Sequence, residues 1–425
     1  MITDFLYFYN IVFIIFTTYI FIKATNSIFN YRSRTIADYV LCIIYFFNCI
    51  PVLLDITIGV PNYVYWYSAF QTVIIHEETC LIYNLYITLS MFILYLYKRK
   101  KDISQIGNIK EMTIESWGIF NTKNPGFILY LIIIFPIVYT FAKYGFNILL
   151  QYKSMASRGF EDEFLLNTLI SISTFYSIII FTKKDKKSFL FILFFVLYAL
   201  LIILINGKRF IIITLIIMLM FCYEQYSQNV TKKRINLKTV YSVIFAFILS
   251  FSIYYSLTVR ADNEMSSDMY AATRVDFGRD DVIKFVINRE FFQNRPILDY
   301  PGQTYLSTIF SLVPRSIWPD KPYPHYRYLT AAILGLGIDD IPAGTTPSFY
   351  EQGIANFGVL GIIITCFVLL VICKFADVNR NTSYKLLILL IQINLLTQSF
   401  DMALPFFILI IADLISRLYY KKTIC

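Results

Sequence analysis

Apolar runs long enough to cross a bilayer recur along this chain from end to end, and they restrict its fold more than any other feature. Within lipid every backbone N–H and C=O must find a partner inside the segment, and a helix of about 20 apolar residues does this while spanning the hydrocarbon core. Composition agrees: 15% of the 425 residues are charged and 57% are hydrophobic, whereas soluble domains carry about 25% charged residues. The expected fold is therefore all-α, a polytopic membrane helix bundle of about eleven spans. The runs place these spans at roughly 5–22, 37–58, 75–97, 127–145, 164–182, 188–205, 210–226, 240–258, 353–373, 386–400 and 402–420. Met1 to Asp4 has neither a basic n-region nor a small-residue cleavage site, so the first run is read as a retained span. Cys42, Cys49, Cys80, Cys222, Cys366 and Cys373 lie within apolar runs and Cys425 is the last residue, a pattern of packing rather than of disulfides or metal ligation.

Lysine-rich connections follow the odd-numbered spans, as at Lys98-Arg99-Lys100-Lys101, Lys183-Lys184-Asp185-Lys186-Lys187 and Lys232-Lys233-Arg234. By the positive-inside rule these face the cytoplasm, which puts the N-terminus outside and the C-terminus inside. The formal charge of +9 is scattered between apolar runs rather than gathered on one face, which argues against nucleic acid as a partner. Abundant Ile, Phe, Tyr, Lys and Asn point to an AT-rich bacterial genome. Three regions result: spans in 1–258, an extracytoplasmic loop in 259–352, and spans in 353–425. The loop holds Trp318 and apolar stretches such as Tyr305–Val313, so it is expected to form short amphipathic helices on the bilayer and over the spans.

Candidate chemistry gathers in that loop and at its borders. The loop carries seven arginines (260, 274, 279, 289, 295, 315 and 327) and two lysines (284 and 321), the reverse of the cytoplasmic bias. A planar guanidinium grips phosphate in a bidentate way, which suits a phosphate or pyrophosphate headgroup; the ordinary alternative is pairing with the loop's acidic residues. Arg209, in the turn Asn206-Gly207-Lys208-Arg209, sits at a helix top and either snorkels or faces a cavity. Three prolines in Pro314-Arg315-Ser316-Ile317-Trp318-Pro319-Asp320-Lys321-Pro322 stiffen the backbone that holds Arg315 and Lys321. His325, in Pro324-His325-Tyr326-Arg327, is the one histidine of the loop and a candidate base. Glu351 and Asn356, beside Tyr350, enter the ninth span at the membrane boundary, where burial would raise a carboxyl toward a useful general base; the alternative is an interfacial helix cap. No Gly-rich phosphate loop, Ser-His-Asp set or metal-ligand spacing is seen, so neither metal nor cofactor is expected.

The Gly207–Arg209 turn, the Pro314–Pro322 stretch, the large late loop and the Glu351…Asn356-Phe357-Gly358 entry resemble the Wzy-type polymerases, which join lipid-linked oligosaccharide repeat units into O-antigen or capsule. The resemblance is of motifs only from about 206 to 361. It implies an inverting, metal-independent glycosyl transfer at the outer face of the bacterial plasma (inner) membrane, with undecaprenyl-pyrophosphate-linked glycan as donor and acceptor. It further implies a chain-length regulator and a flippase as partners. On this reading Arg209, Arg260 and Arg315 hold the leaving pyrophosphate, with Arg274, Arg279, Lys321 and Arg327 around them. Glu351 is the first choice of base and His325 the second. Trp318, Tyr323 and Tyr326 would stack on sugars, and Tyr350 and Asn356 would help bind substrate. A ligase moving finished O-antigen to lipid A core, or a lipid-linked oligosaccharide transporter, is the alternative.

Overall fold

The computed structural model describes residues 4–29, 35–63, 67–104, 127–150, 163–183, 189–206, 270, 274, 278–311, 313, 315–341, 344–378 and 382–424. Among these residues every regular element is helical. Four stretches are long and apolar enough to cross a membrane, Asp4–Ile28, Ile36–Thr57, Glu77–Lys100 and Val359–Val378, and shorter apolar helices cover Leu129–Tyr144, Leu165–Ile180, Leu193–Asn206 and Tyr384–Thr397. This is a membrane-embedded helical protein. The expected spans at 210–226 and 240–258 lie outside the described residues.

The chain divides into two compact units, one of Met1–Glu111, Leu237–Val378 and Gln392–Ala403 and the other of the remainder. In the first, α1 (Asp4–Phe29) packs on α2 (Ile36–Ile44) and α5 (Glu77–Ser104). A π turn at Tyr45–Cys49 joins α2 to α3 (Ile50–Thr57), so the second span is one interrupted rod. Pro51 offers no N–H to the preceding turn, and the Phe47 carbonyl four residues back accepts the backbone N–H of Arg279 at 3.0 Å. Near the start of the rod, buried Asp38 pairs with Lys98 of α5 at 2.7 Å and accepts the Ser27 hydroxyl. Tyr97 and the Ile36 N–H both donate to Asp377 beside it.

The other end of this unit is built by short helices: α4 (Ser68–Ile74), α9 (Asp280–Ile287) running into a π turn at Asn288–Phe292, α10 (Gln303–Ile309), α11 (His325–Leu334) and α12 (Phe349–Phe357). The helices of 259–352 were expected to lie on the bilayer and over the spans, and for α9 the structure corrects the first part. Every residue from Asp280 to Ile287 is buried, and α9 packs against α4, α5 and α12. A helix enclosed on all sides is a core element, not an interfacial one. Its charges, which make the segment look surface-bound in the sequence, are neutralised from within.

The expected ninth span also differs. Instead of one helix over 353–373, α12 ends at Phe357 and α13 (Val359–Val378) starts after Gly358, whose φ of 56° suits glycine alone. The two helices fold against each other so closely that a Cβ on Gly361 would lie 1.9 Å from the Gly353 carbonyl oxygen. No side chain fits there.

In the second unit α6 (Phe127–Tyr144), α7 (Glu163–Lys183) and α8 (Phe189–Asn206) pack together. Ser173 donates to the Ile133 carbonyl and meets the Tyr198 hydroxyl, and Asn206 donates to Asn167 at 2.9 Å. Such buried polar bridges tie helices where lipid supplies no hydrophobic drive between them. The remaining helices, α14 (Thr382–Thr397) and α15 (Phe400–Ile424), contribute residues to both units.

Candidate functional site

Two side chains singled out from the sequence for one task, Glu351 and His325, meet in the structure. Glu351 is the third residue of α12, and its carboxylate accepts both the backbone N–H and the hydroxyl of Ser348, the N-cap. Ser348-x-x-Glu351 is thus a capping box. His325 opens α11, with Pro324 before it. Its Nε2 lies 3.8 Å from a Glu351 carboxylate oxygen, and both side chains have no exposed surface. Neither ring nitrogen of His325 has a hydrogen-bond partner. The cap accounts for Glu351 and Ser348, but not for a buried imidazole left with two bare nitrogens beside a carboxyl, because such groups are almost always satisfied.

Burial sets the charge state of this pair. It pushes the Glu351 carboxyl up to about 8, against the pull of the Ser348 bonds and of nearby Arg279. Burial also pulls the His325 imidazole down to about 3. Near pH 7 the pair is therefore a protonated carboxyl beside a neutral imidazole, and the carboxylate forms as pH rises toward 8.

Polar side chains pack around α12. Asn356 donates to the Thr304 hydroxyl and the Gln352 carbonyl, both at 2.7 Å, and the Gln352 side chain accepts the Phe400 N–H. Asp401 accepts the hydroxyls of Thr308 and Ser399, and burial pushes its carboxyl up to about 6. Tyr305 lies between, close enough for both Glu351 and Asp401 to add to the upward push that burial gives its phenol. Thr304, Thr308, Ser348, Gln352 and Asp401 were not singled out in the sequence. The capping-box spacing was a legible signal for Ser348, and the others carry none that survives without the fold.

Two residues before His325 the surface becomes cationic. The Arg315 guanidinium lies 4.0 Å and that of Arg327 4.9 Å from the Tyr323 ring centre. Lys321 donates to the Ser311 and Val313 carbonyls, and its ammonium is pulled down by burial and by Arg315 beside it. Asp339 accepts the Tyr323 hydroxyl at 2.6 Å and sits 3.7 Å from Arg327. Tyr323, on which Arg315 and Arg327 rest, is two residues before His325 in the chain. Half-buried Trp318 packs edge-on to Phe310, and Tyr326 is exposed.

Other expected binding residues have internal partners. Arg274 has no exposed side-chain surface. It forms a fork-to-fork pair with Asp55 (3.0 and 2.8 Å), a second with Asp280 (both 2.7 Å), and an ion pair with Asp281 at 3.2 Å. Lys284 also binds Asp280 at 2.8 Å, and Tyr63 donates to Asp281. Burial alone would lower the Arg274 guanidinium, but Asp280, Asp281 and Asp55 outweigh it and hold it above its ordinary range. A Cβ on Gly278 would fall 2.2 Å from this guanidinium, so glycine is required there. Tyr350 is enclosed, bonded to Ser90 at 2.7 Å and packed edge-on against Tyr86. Asn356 is held as described above. Arg279 is half-buried, and its Nε donates to the Thr397 carbonyl at 3.2 Å. Arg209 and Arg260 lie outside the described residues. No protein-family model, no curated protein and no solved structure matches this chain.

Proposed function

We propose that this chain is a glycosyltransferase of the bacterial plasma membrane that polymerises undecaprenyl-pyrophosphate-linked oligosaccharide repeat units at the outer face. The observation that carries the reading is the buried Glu351–His325 pair with its bare imidazole nitrogens; cations gather on Tyr323, two residues before His325 in the chain. Transfer to a sugar hydroxyl needs a proton acceptor at the attacking oxygen and positive charge at the departing diphosphate. Glu351 supplies the first in this reading, and the arginines around Tyr323 the second.

In this reading the acceptor hydroxyl gives its proton to the Glu351 carboxylate while its oxygen bonds to the anomeric carbon of the donor. The bond from that carbon to the diphosphate oxygen breaks, and inversion follows from attack opposite the leaving group. Arg315, Lys321 and Arg327 hold the lipid diphosphate as its charge develops, with Arg209 and Arg260 as further ligands. Guanidinium groups suit this role because their planar fork matches phosphate oxygens and never deprotonates. Neutral His325 orients the carboxyl or relays the proton. The acceptor must gain access to the pair, which is enclosed in this structure.

The test is polymerisation by the purified chain in lipid vesicles, given lipid-linked repeat unit without nucleotide or added metal. A ladder of glycan lengths is expected from the wild type and a single repeat from Glu351→Gln, with the wild-type rate climbing as pH rises toward 8. The base assignment is wrong if Glu351→Gln makes the same ladder, and the whole reading fails if the folded wild type makes none.

A further inference from the structure

We infer that α10 with the described residues that follow it, 310, 311, 313 and 315–318, is a membrane-surface anchor inserted among the lipid headgroups of the leaflet that α13 enters. Leu306, Ile309, Phe310 and Ile317 are exposed, Ile317 most of all at 75%. Exposed apolar groups scattered singly need no explanation, but a run of four on one short stretch does.

What covers them follows from the surface they continue. Tyr305 stacks on Phe357, with ring centres 5.7 Å apart and planes 11° from parallel. Phe357 is the last residue of α12, and after Gly358 the membrane-crossing helix α13 begins. Its Val359, Leu360, Ile363 and Phe367 form an exposed apolar face of a membrane-crossing helix, a surface suited to lipid tails. The exposed side of α10 is therefore the next surface beyond a lipid-facing helix end. Trp318, half-buried against Phe310, has the mixed polar and apolar character of residues at a membrane interface. Arg315 and Lys321 stand beside it, and their charge fits anionic headgroups. Lys321 also closes the turn by donating to the Ser311 and Val313 carbonyls, so the apolar tip is a held shape. This inference rests on exposed faces alone and does not depend on the transferase reading.

Fluorescence tests it directly. In the full chain carrying Trp66→Phe and Trp117→Phe, Trp318 is the one remaining tryptophan. Reconstituted into vesicles, it should lose most of its emission to phosphatidylcholine brominated near the head of the acyl chain and little to aqueous acrylamide. Quenching by acrylamide with none by the brominated lipid overturns the proposal. Should that variant not fold, the wild type is irradiated in vesicles containing a lipid with a diazirine near the ester, and labelled peptides are identified by mass spectrometry. Label on α10 and the residues that follow it, as well as on 359–367, supports the anchor, whereas label on 359–367 alone overturns it.

Discussion

Arg274 and Arg315 have the same side chain, lie 41 residues apart and were expected to share one task, yet the fold uses them in opposite ways. Arg274 is enclosed by Asp55, Asp280 and Asp281, and joins the segment before α9 to the end of a membrane span. Arg315 is exposed, rests on the Tyr323 ring and keeps only long bonds, at 3.2 and 3.4 Å, to the Pro319 and Pro322 carbonyls. A buried guanidinium with three carboxylates has no donor left for a ligand. An exposed one, stacked on an aromatic face, is held in place with its fork still open. The contrast teaches that partners, not residue type, decide which arginines are available for a phosphate.

The largest effect is expected at the enclosed arginine. Arg274→Met leaves three buried carboxylates facing Lys284 alone, which should cost about 3–5 kcal/mol and be read as lower thermal stability with new protease cleavage near α9. Activity should fall with the folded fraction. Arg315→Ala should do the reverse, with stability changing by no more than about 0.5 kcal/mol and polymerisation slowing by about 10²–10³-fold. Equal stability losses in the two variants would break the comparison.

A smaller effect concerns the buried pair. A carboxyl raised to about 8 in the folded chain from its ordinary 4.5 is protonated more in the folded than in the unfolded state. Its stabilising contribution is complete below pH 4.5 and is lost as pH rises through 8, a decline on the order of a few kcal/mol. Thermal unfolding across that range should show the decline in the wild type and not in Glu351→Gln. Asp281, also pushed up by burial, remains in both proteins, so the difference between them isolates Glu351. Matching slopes would mean that Glu351 ionises normally.

The smallest effect belongs to the platform. Tyr323→Leu removes the ring under both Arg315 and Arg327, and each such exposed contact contributes about 0.5–1 kcal/mol. A few-fold rise in KM for lipid-linked repeat unit, with kcat nearly kept, is expected in steady-state assays. An unchanged KM would show that the arginines need no ring to hold them.

Much of the fold was legible because apolar run length is a local quantity. The run at 37–58 matches the α2–α3 rod, and those at 5–22 and 75–97 fall on α1 and α5, each of which runs seven residues further. The ninth was misjudged because hydropathy does not register a reversal at Gly358, where the apolar pattern continues while the chain turns back. The segment 259–352 was read as surface because its charges are visible one residue at a time. Asp55 and Asp280 lie 225 residues apart, and nothing short of the fold shows that Arg274 binds both. At the site, Glu351 and His325 were both noticed, one for its position at a span entry and one for its rarity, but their proximity was invisible.

The sequence by itself determined that this chain lives in a membrane as helices, since a run of about 20 apolar residues has no other way to satisfy its backbone in lipid. It also carried the Ser348-x-x-Glu351 capping-box spacing, because that constraint acts over a few bonds. Tertiary structure alone decided which charges are neutralised inside and which remain at the surface. Charge pairing depends on distances of a few ångströms between residues hundreds apart, and only the packed helices set those distances.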